Sequence, residues 1–351
     1  MLQAILFHDT SYEQHHGSQL VVREIYRLAA SAGIQIVRAC PMRYDWRKDA
    51  QLKAMIATVD LCLINGEGTF HDNQRQAEIL AELGPYCRQH DVPCFLINSL
   101  WQRNNGQLLE DVKTFTGIYL RDELSQQELH AHGVSAMVVP DLTLSHVTNP
   151  LHLQRHGIII NGSVFPERTY EAWQLAYDKK EEGARYLSIK ALPRLQPDKG
   201  FPRYFWKSVV KRIKSGLKRR ISRMTMLHTH IPTPENIDRL RWATSAASLT
   251  EFLQNLAGAA GVITGRFHCA TLCLLTETPL YAIKSNTHKI EALLSAAGLD
   301  NRVFPSYREA YAHKDNMAYS EAELAAIRRY LGNCRERSAT MFREIAGKVA
   351  S

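Results

Sequence analysis

The chain has 351 residues, 45% hydrophobic and 22% charged, with a formal net charge of +8. That length accommodates about two domains of ordinary size, and the balance excludes a disordered or collagen-like chain. No uninterrupted apolar run is long enough to cross a bilayer, and the start MLQAILFHDT lacks the basic and apolar regions of a signal peptide, so a cytoplasmic protein, soluble or peripheral, is expected.

In chain order, AILFH at 4–8 reads as a buried strand, and Leu20, Ile25, Leu28 and Ala32 recur at helical spacing before Gly33. Apolar runs at 34–37, 60–64, 94–98, 117–120 and 136–140 read as further strands, each separated by room for a crossover helix. A second series begins with GIIIN at 157 and continues at 185–189, 261–264 and 279–283. Strands alternating with helices predict parallel sheets covered on both faces, so the expected fold is α/β, with two Rossmann-like doubly wound domains facing a cleft, as in the GT-B architecture. The expected limits are 1–150 and 151–351, with an insertion at about 193–234 and a closing helix from Ser320.

The insertion carries most of the charge. Residues 203–224 hold nine basic side chains and no acid, so the net charge of +8 falls to −1 without them. Trp206, Val209, Val210, Ile213, Leu217, Ile221 and Met224 recur every three or four residues, with cations including Lys207, Lys211, Arg212, Lys218, Arg219 and Arg220 largely opposite. This pattern reads as an interfacial helix on an anionic membrane surface, at the inner face of the cytoplasmic membrane. An ordinary packed helix with a solvated basic face is the alternative. Confinement of the charge to one segment argues against nucleic acid as a partner. The seven cysteines include no CxxC pair, which predicts a reducing compartment, no metal site and no cofactor.

Four stretches carry the chemistry. His15-His16-Gly17-Ser18 reads as a turn before the first helix, serving either as a cap or as a ligand contact. In INGEGTFHDN, Gly66 and Gly68 let the backbone approach a ligand, Thr69 is placed to cap a following helix, and Glu67 is either a general base or a structural hydrogen-bonding group. In YLRDELS, Arg121 leaves a strand end towards the cleft, with Asp122 and Ser125 as helix caps; Asp141, in VVPDLTL, reads as structural. The strand 261–264 ends at Gly265, where a helix opening at Arg266 offers backbone N–H groups and a positive dipole to an anion. Arg266 adds a cation and His268 a group able to exchange a proton near neutral pH.

Arg266-Phe267-His268 with Pro279 and Lys289 resembles the C-terminal signature of the polysaccharide pyruvyl transferase family. Arg121-Asp122-Glu123 with its following Val-Pro-Asp, the Gly66–Thr69 turn and the His15–Ser18 stretch match further elements in order. The chain departs from the family at Glu67, where glycine is usual, and at Ser18, where aspartate is usual. The resemblance implies phosphoenolpyruvate as donor and a surface-glycan or lipid-linked saccharide as acceptor. It implies Arg121, Arg266, Gly66, Gly68, Thr69, Gly265 and Lys289 as donor-binding and His268 as a proton-transfer group, while Glu67, a departure from the family, is a candidate second proton-transfer group by its own chemistry. A CMP-activated ulosonic acid such as CMP-Kdo, or another nucleotide sugar, presents similar demands, so a GT-B-like glycosyltransferase is the alternative.

Overall fold

The first apolar run forms β1 (Leu2–Asp9), whose last six residues are all buried. Burial of consecutive residues means that both faces of the strand are covered, as in the middle of a helix-flanked parallel sheet. The computed structural model describes residues 1–148, 153–191, 206, 209–210, 212–214, 216–217 and 244–350. Around β1, β2 (Ile34–Pro41), β3 (Leu61–Asn65), β4 (Cys94–Ser99), β5 (Gly117–Leu120) and β6 (Met137–Val138) form a parallel sheet in the order β2-β1-β3-β4-β5-β6. A second parallel sheet, β11-β10-β9-β7-β8, contains β7 (Ile158–Ser163), β8 (Ala184–Tyr186), β9 (Gly261–Gly265), β10 (Leu280–Ile283) and β11 (Val303–Phe304). The expected α/β fold with two wound sheets is therefore present. Strand β11 was not expected, because two residues leave no periodic signal.

Six helices position the site: α1 (His16–Ser31), α2 (Glu123–His130), α3 (Leu249–Ala257), α4 (Phe267–Leu275), α5 (Lys289–Ala296) and α6 (Glu321–Ala350). Ser320 and Glu323 cap α6 reciprocally, each accepting from the other's backbone N–H at 3.2 and 2.8 Å. Ile327, Leu331 and Cys334 of α6 belong to the core of the second sheet. Further along, Met341, Phe342 and Ile345 pack with Val21, Ile25 and Phe95 on the first. We propose domain limits of 1–150 and 151–351, with α6 returning across both.

Of the basic segment, Trp206, Val209, Val210, Arg212, Ile213, Lys214, Gly216 and Leu217 are described and helical. Trp206, Val210, Ile213 and Leu217 are 63%, 48%, 68% and 60% exposed, so these four side chains face outwards, while Val209 is half-buried. Ile221 and Met224 lie outside the described residues. Lys207, Lys211, Lys218, Arg219 and Arg220 lie outside the described residues. No helix among the described residues is long and apolar enough to cross a membrane.

Candidate functional site

The carboxyl ends of the central strands deliver the polar residues. His8 and Asn98, at the ends of β1 and β4, adopt positive φ values of 62° and 53°. Such backbone strain in non-glycine residues gathers where a surrounding network holds it. After β3, a Cβ added to Gly66 would lie 2.3 Å from Ser99 Oγ, so this glycine is required by close packing on β4. Gly68 supplies the left-handed turn with φ 70°. Between them Glu67 is buried, its Oε1 accepting from Ser18 Oγ at 2.7 Å and its Oε2 from Thr10 Oγ1 at 2.7 Å. Thr69 does not cap a helix as expected. Its hydroxyl donates to Gly66 O at 3.1 Å, and the next helix begins only at Arg75.

The His15–Ser18 stretch is also not a free turn. His15 is the N-cap of α1, its Nδ1 accepting from Ser18 N at 3.4 Å, and the next three residues already form the first helical turn. His16 is buried and stacked on Phe252 of α3, with ring centroids 5.0 Å apart. His15 instead meets His268 edge to face at 5.3 Å. Burial, and then the charge of Lys190, hold His15 well below the usual histidine range.

Gly17 brings α1 against α4: a Cβ at this position would sit 2.3 Å from His268 Cβ. Gly17→Ala is therefore expected to push the His268 side chain out of place and to destabilise the fold by about 1–3 kcal/mol, the usual cost of overpacking. Chemical denaturation combined with the His268 ring signals in NMR checks this; unchanged stability and ring environment would show that the contact yields freely.

On the facing sheet, β9 ends at Gly265 and Arg266 occupies the N-cap position of α4. Gly265 leaves room for Tyr307 and Ser163, which a Cβ would meet at 2.9 and 3.0 Å, so packing requires its smallness. His268 in the first turn of α4 is buried. Its Nε2 lies 3.7 Å from Glu67 Oε1 and 3.6 Å from Asp141 Oδ2, between two carboxylates from the opposite sheet.

Arg121 emerges from β5, buried, with Nη1 donating to Asp141 Oδ2 at 2.9 Å and its guanidinium 5.0 Å over the Phe267 ring. Asp141 Oδ1 accepts from Thr143 N at 3.0 Å and Thr143 Oγ1 at 2.6 Å. Burial alone raises the Asp141 carboxyl, but the neighbouring imidazole of His268, the Arg121 charge and Thr143 outweigh it and hold the group well below the ordinary carboxylate range. Lys289, the first residue of α5, donates from Nζ to Asn286 Oδ1 at 3.2 Å. It is pushed down to about 8, first by burial and then by the charges of Arg121 and Arg266, which places three cations in one electrostatic neighbourhood.

The two sheets are tied together at this point. His288 Nε2 lies 2.8 Å from Asp122 Oδ1, joining the starts of α5 and α2, and the hydroxyls of Thr143 and Thr271 are hydrogen-bonded at 2.9 Å. Asp122 also accepts from Ser125 N at 2.8 Å as the cap of α2. Beside these contacts opens a cavity of about 700 Å³, with Arg121, Asp141, Phe267 and Lys289 on its inner wall and Tyr330, Asn333 and Arg337 of α6 on its outer wall. That volume lies within the range of small-molecule sites.

The structure thus gathers Glu67, Arg121, Arg266, His268 and Lys289 with His15, Gly17 and Ser18, while His16, Thr69 and Gly265 make packing or turn contacts. It adds Asp141, Thr10 and Phe267. The Val-Pro-Asp strand end was the one available signal for Asp141, and it is equally compatible with a structural carboxylate. The arrangement combines cations, two imidazoles and two carboxylates, the groups needed to bind an anion and move a proton beside it.

Comparisons with known proteins agree with the fold. A putative UDP-N-acetylglucosamine 2-epimerase from Listeria monocytogenes is similar over 97% of this chain and 94% of that chain, at 9% identity and a TM-score of 0.53. The UDP-N-acetylglucosamine 2-epimerase from Rickettsia bellii is similar over 100% of this chain and 97% of that one, at 10% identity and a TM-score of 0.51. At such identity the likeness concerns the fold alone. No curated protein matches. The family model described as polysaccharide pyruvyl transferase matches residues 16–287, a span that runs from the start of α1 through the Arg266–His268 turn, and the chain belongs to that transferase family.

Proposed function

We propose that this transferase moves a pyruvyl group from phosphoenolpyruvate to two hydroxyls of a sugar in a lipid-linked or surface glycan. The observation that carries the reading is a His268 held between Glu67 and Asp141, with Arg121 bonded to Asp141 and Lys289 feeling the charges of Arg121 and Arg266. Phosphoenolpyruvate brings a carboxylate and a phosphate. Arg121 and Arg266 hold these anions, with Lys289 as a third positive charge and the N-terminus of α4 beneath. In the reaction the enol carbon gains a proton to become a methyl group, and an oxocarbenium-like centre develops beside the carboxylate. Two sugar hydroxyls add to that centre, phosphate leaves with its oxygen, and the second hydroxyl proton departs with it. His268 supplies the proton to carbon, and Glu67, oriented by Ser18 and Thr10, receives one from the sugar. The cavity lined by α6 takes the saccharide.

Lys289 gives the test a pH signature. A lysine carries its charge below its pKa, so phosphoenolpyruvate affinity is expected to fall as pH rises through about 8, and Lys289→Met is expected to bind weakly at every pH. Thermal-shift titration with phosphoenolpyruvate, and separately with CMP and CMP-Kdo, at about pH 7 and about pH 9 measures this, because a ligand that binds only the folded state raises its apparent stability. Stabilisation by CMP or CMP-Kdo without any by phosphoenolpyruvate would replace pyruvyl transfer with glycosyl transfer.

We further propose that the basic helix holds the enzyme at an anionic membrane surface, beside a lipid-linked acceptor. The outward-facing Trp206, Val210, Ile213 and Leu217 support this reading, together with the nine cations and absence of acid in 203–224. Trp206→Ser, Ile213→Ser and Leu217→Ser combined are expected to weaken binding to phosphatidylglycerol-containing vesicles by about tenfold or more, since each apolar side chain contributes about 1.5–3 kcal/mol on burial. Co-sedimentation checks this. Unchanged binding would mean that the apolar stripe does not enter the bilayer.

A further inference from the structure

Asp141 occupies a position that the transfer chemistry alone does not explain. Its Oδ2 accepts one hydrogen bond, from Arg121 Nη1 at 2.9 Å, and stands 3.6 Å from His268 Nε2. That separation exceeds a hydrogen bond, and His268 Nε2 is buried without a hydrogen-bond partner among the described residues. Glu67, on the other side at 3.7 Å, has both oxygens engaged by Ser18 and Thr10. Both carboxylates keep acceptor capacity, but Asp141 Oδ2 is the one held by a cation, Arg121, that an incoming anion can draw away. The other Asp141 oxygen is anchored by Thr143, so the carboxylate has a pivot.

We infer that Asp141 is a positioning residue shared between Arg121 and His268, and that an anion captured by Arg121 hands the carboxylate over to the imidazole. In the unliganded site Asp141 satisfies the guanidinium. When a phosphate or carboxylate oxygen takes the guanidinium N–H groups, the Arg121–Asp141 bond is lost and Oδ2 accepts from His268 Nε2–H. Binding of the anion then orients and charges the imidazole in the same event. A buried arginine paired with aspartate also binds an added anion less tightly, because the carboxylate competes for the same N–H groups and repels the newcomer. The inference rests on the proposed transfer reaction only for the nature of the anion.

Inorganic phosphate is the first probe and phosphoenolpyruvate the second, both followed by calorimetry and by NMR of the histidine ring N–H groups at about pH 5.5, where an ordinary histidine carries both protons. Asp141→Asn keeps the oxygen that accepts from Thr143 and is expected to bind phosphate about tenfold more tightly than the parent, the opposite of what loss of a merely structural carboxylate produces. Adding phosphate to the parent is expected to bring up a solvent-protected His268 Nε2–H resonance, identified by its absence in His268→Gln, and this resonance should not appear in Asp141→Asn. Arg121→Gln, which releases Asp141 permanently, should show the resonance without phosphate and keeps the idea testable if the asparagine variant does not fold. Equal or weaker phosphate binding by Asp141→Asn, or a resonance that ignores either substitution, overturns the inference. If the parent binds neither probe, the donor reading falls with it; if the parent binds both and Asp141→Asn gains nothing, only the role of Asp141 falls.

Discussion

Replacing His268 by alanine is expected to lower transfer by about 10³-fold while leaving the protein folded, within the usual range for loss of a positioned proton-transfer group. Alanine is the best helix former, and His268 lies in the first turn of α4, so helical propensity does not suffer. What disappears is the one imidazole between Glu67 and Asp141, at 3.7 and 3.6 Å. The loss is expected in kcat, with phosphoenolpyruvate affinity nearly retained, because the proposed reading assigns the anion to Arg121, Arg266 and Lys289. Steady-state kinetics beside a donor titration separates the two. Near-parental turnover in a folded variant would remove His268 from the mechanism and leave its contacts as packing.

Arg121→Lys is expected to cost about 10²-fold in kcat/KM, although the charge is conserved. The guanidinium has three features that an ammonium cannot reproduce together: a bond to Asp141 at 2.9 Å, a position 5.0 Å over the Phe267 ring, and a buried Nε–H without a hydrogen-bond partner among the described residues. An ammonium satisfies the carboxylate as a point charge and leaves the planar recognition of phosphate or carboxylate unmade. The deficit is therefore expected in donor affinity, measured by calorimetry with phosphoenolpyruvate. Parental affinity in the lysine variant would confine Arg121 to an electrostatic partnership with Asp141.

The two wound sheets are legible in the local pattern of the chain, and so is the strand edge along which its polar residues collect. Buried strands contain continuous apolar runs, such as 4–7 and 261–263, and polar residues including Asp9, Glu67, Arg121 and Arg266 follow within a few positions of where such runs end. Local spacing also marked the amphipathic insertion, because a repeat of three and four residues is a property of one helix. The tertiary structure decided what no local pattern contains. Whether a glycine meets a ligand or a neighbour depends on the element across from it, so Gly66 and Gly265 proved to be packed against Ser99 and Tyr307. His15 and His16 are adjacent in sequence yet face opposite ways once α1 begins, one towards His268 and the other onto Phe252. Asp141 and His268 are separated by more than a hundred residues, and only the approach of the two sheets turns an apparently structural carboxylate into a neighbour of the imidazole at 3.6 Å. Strand periodicity records which residues are buried; the distance between charges on different sheets depends on how those sheets dock.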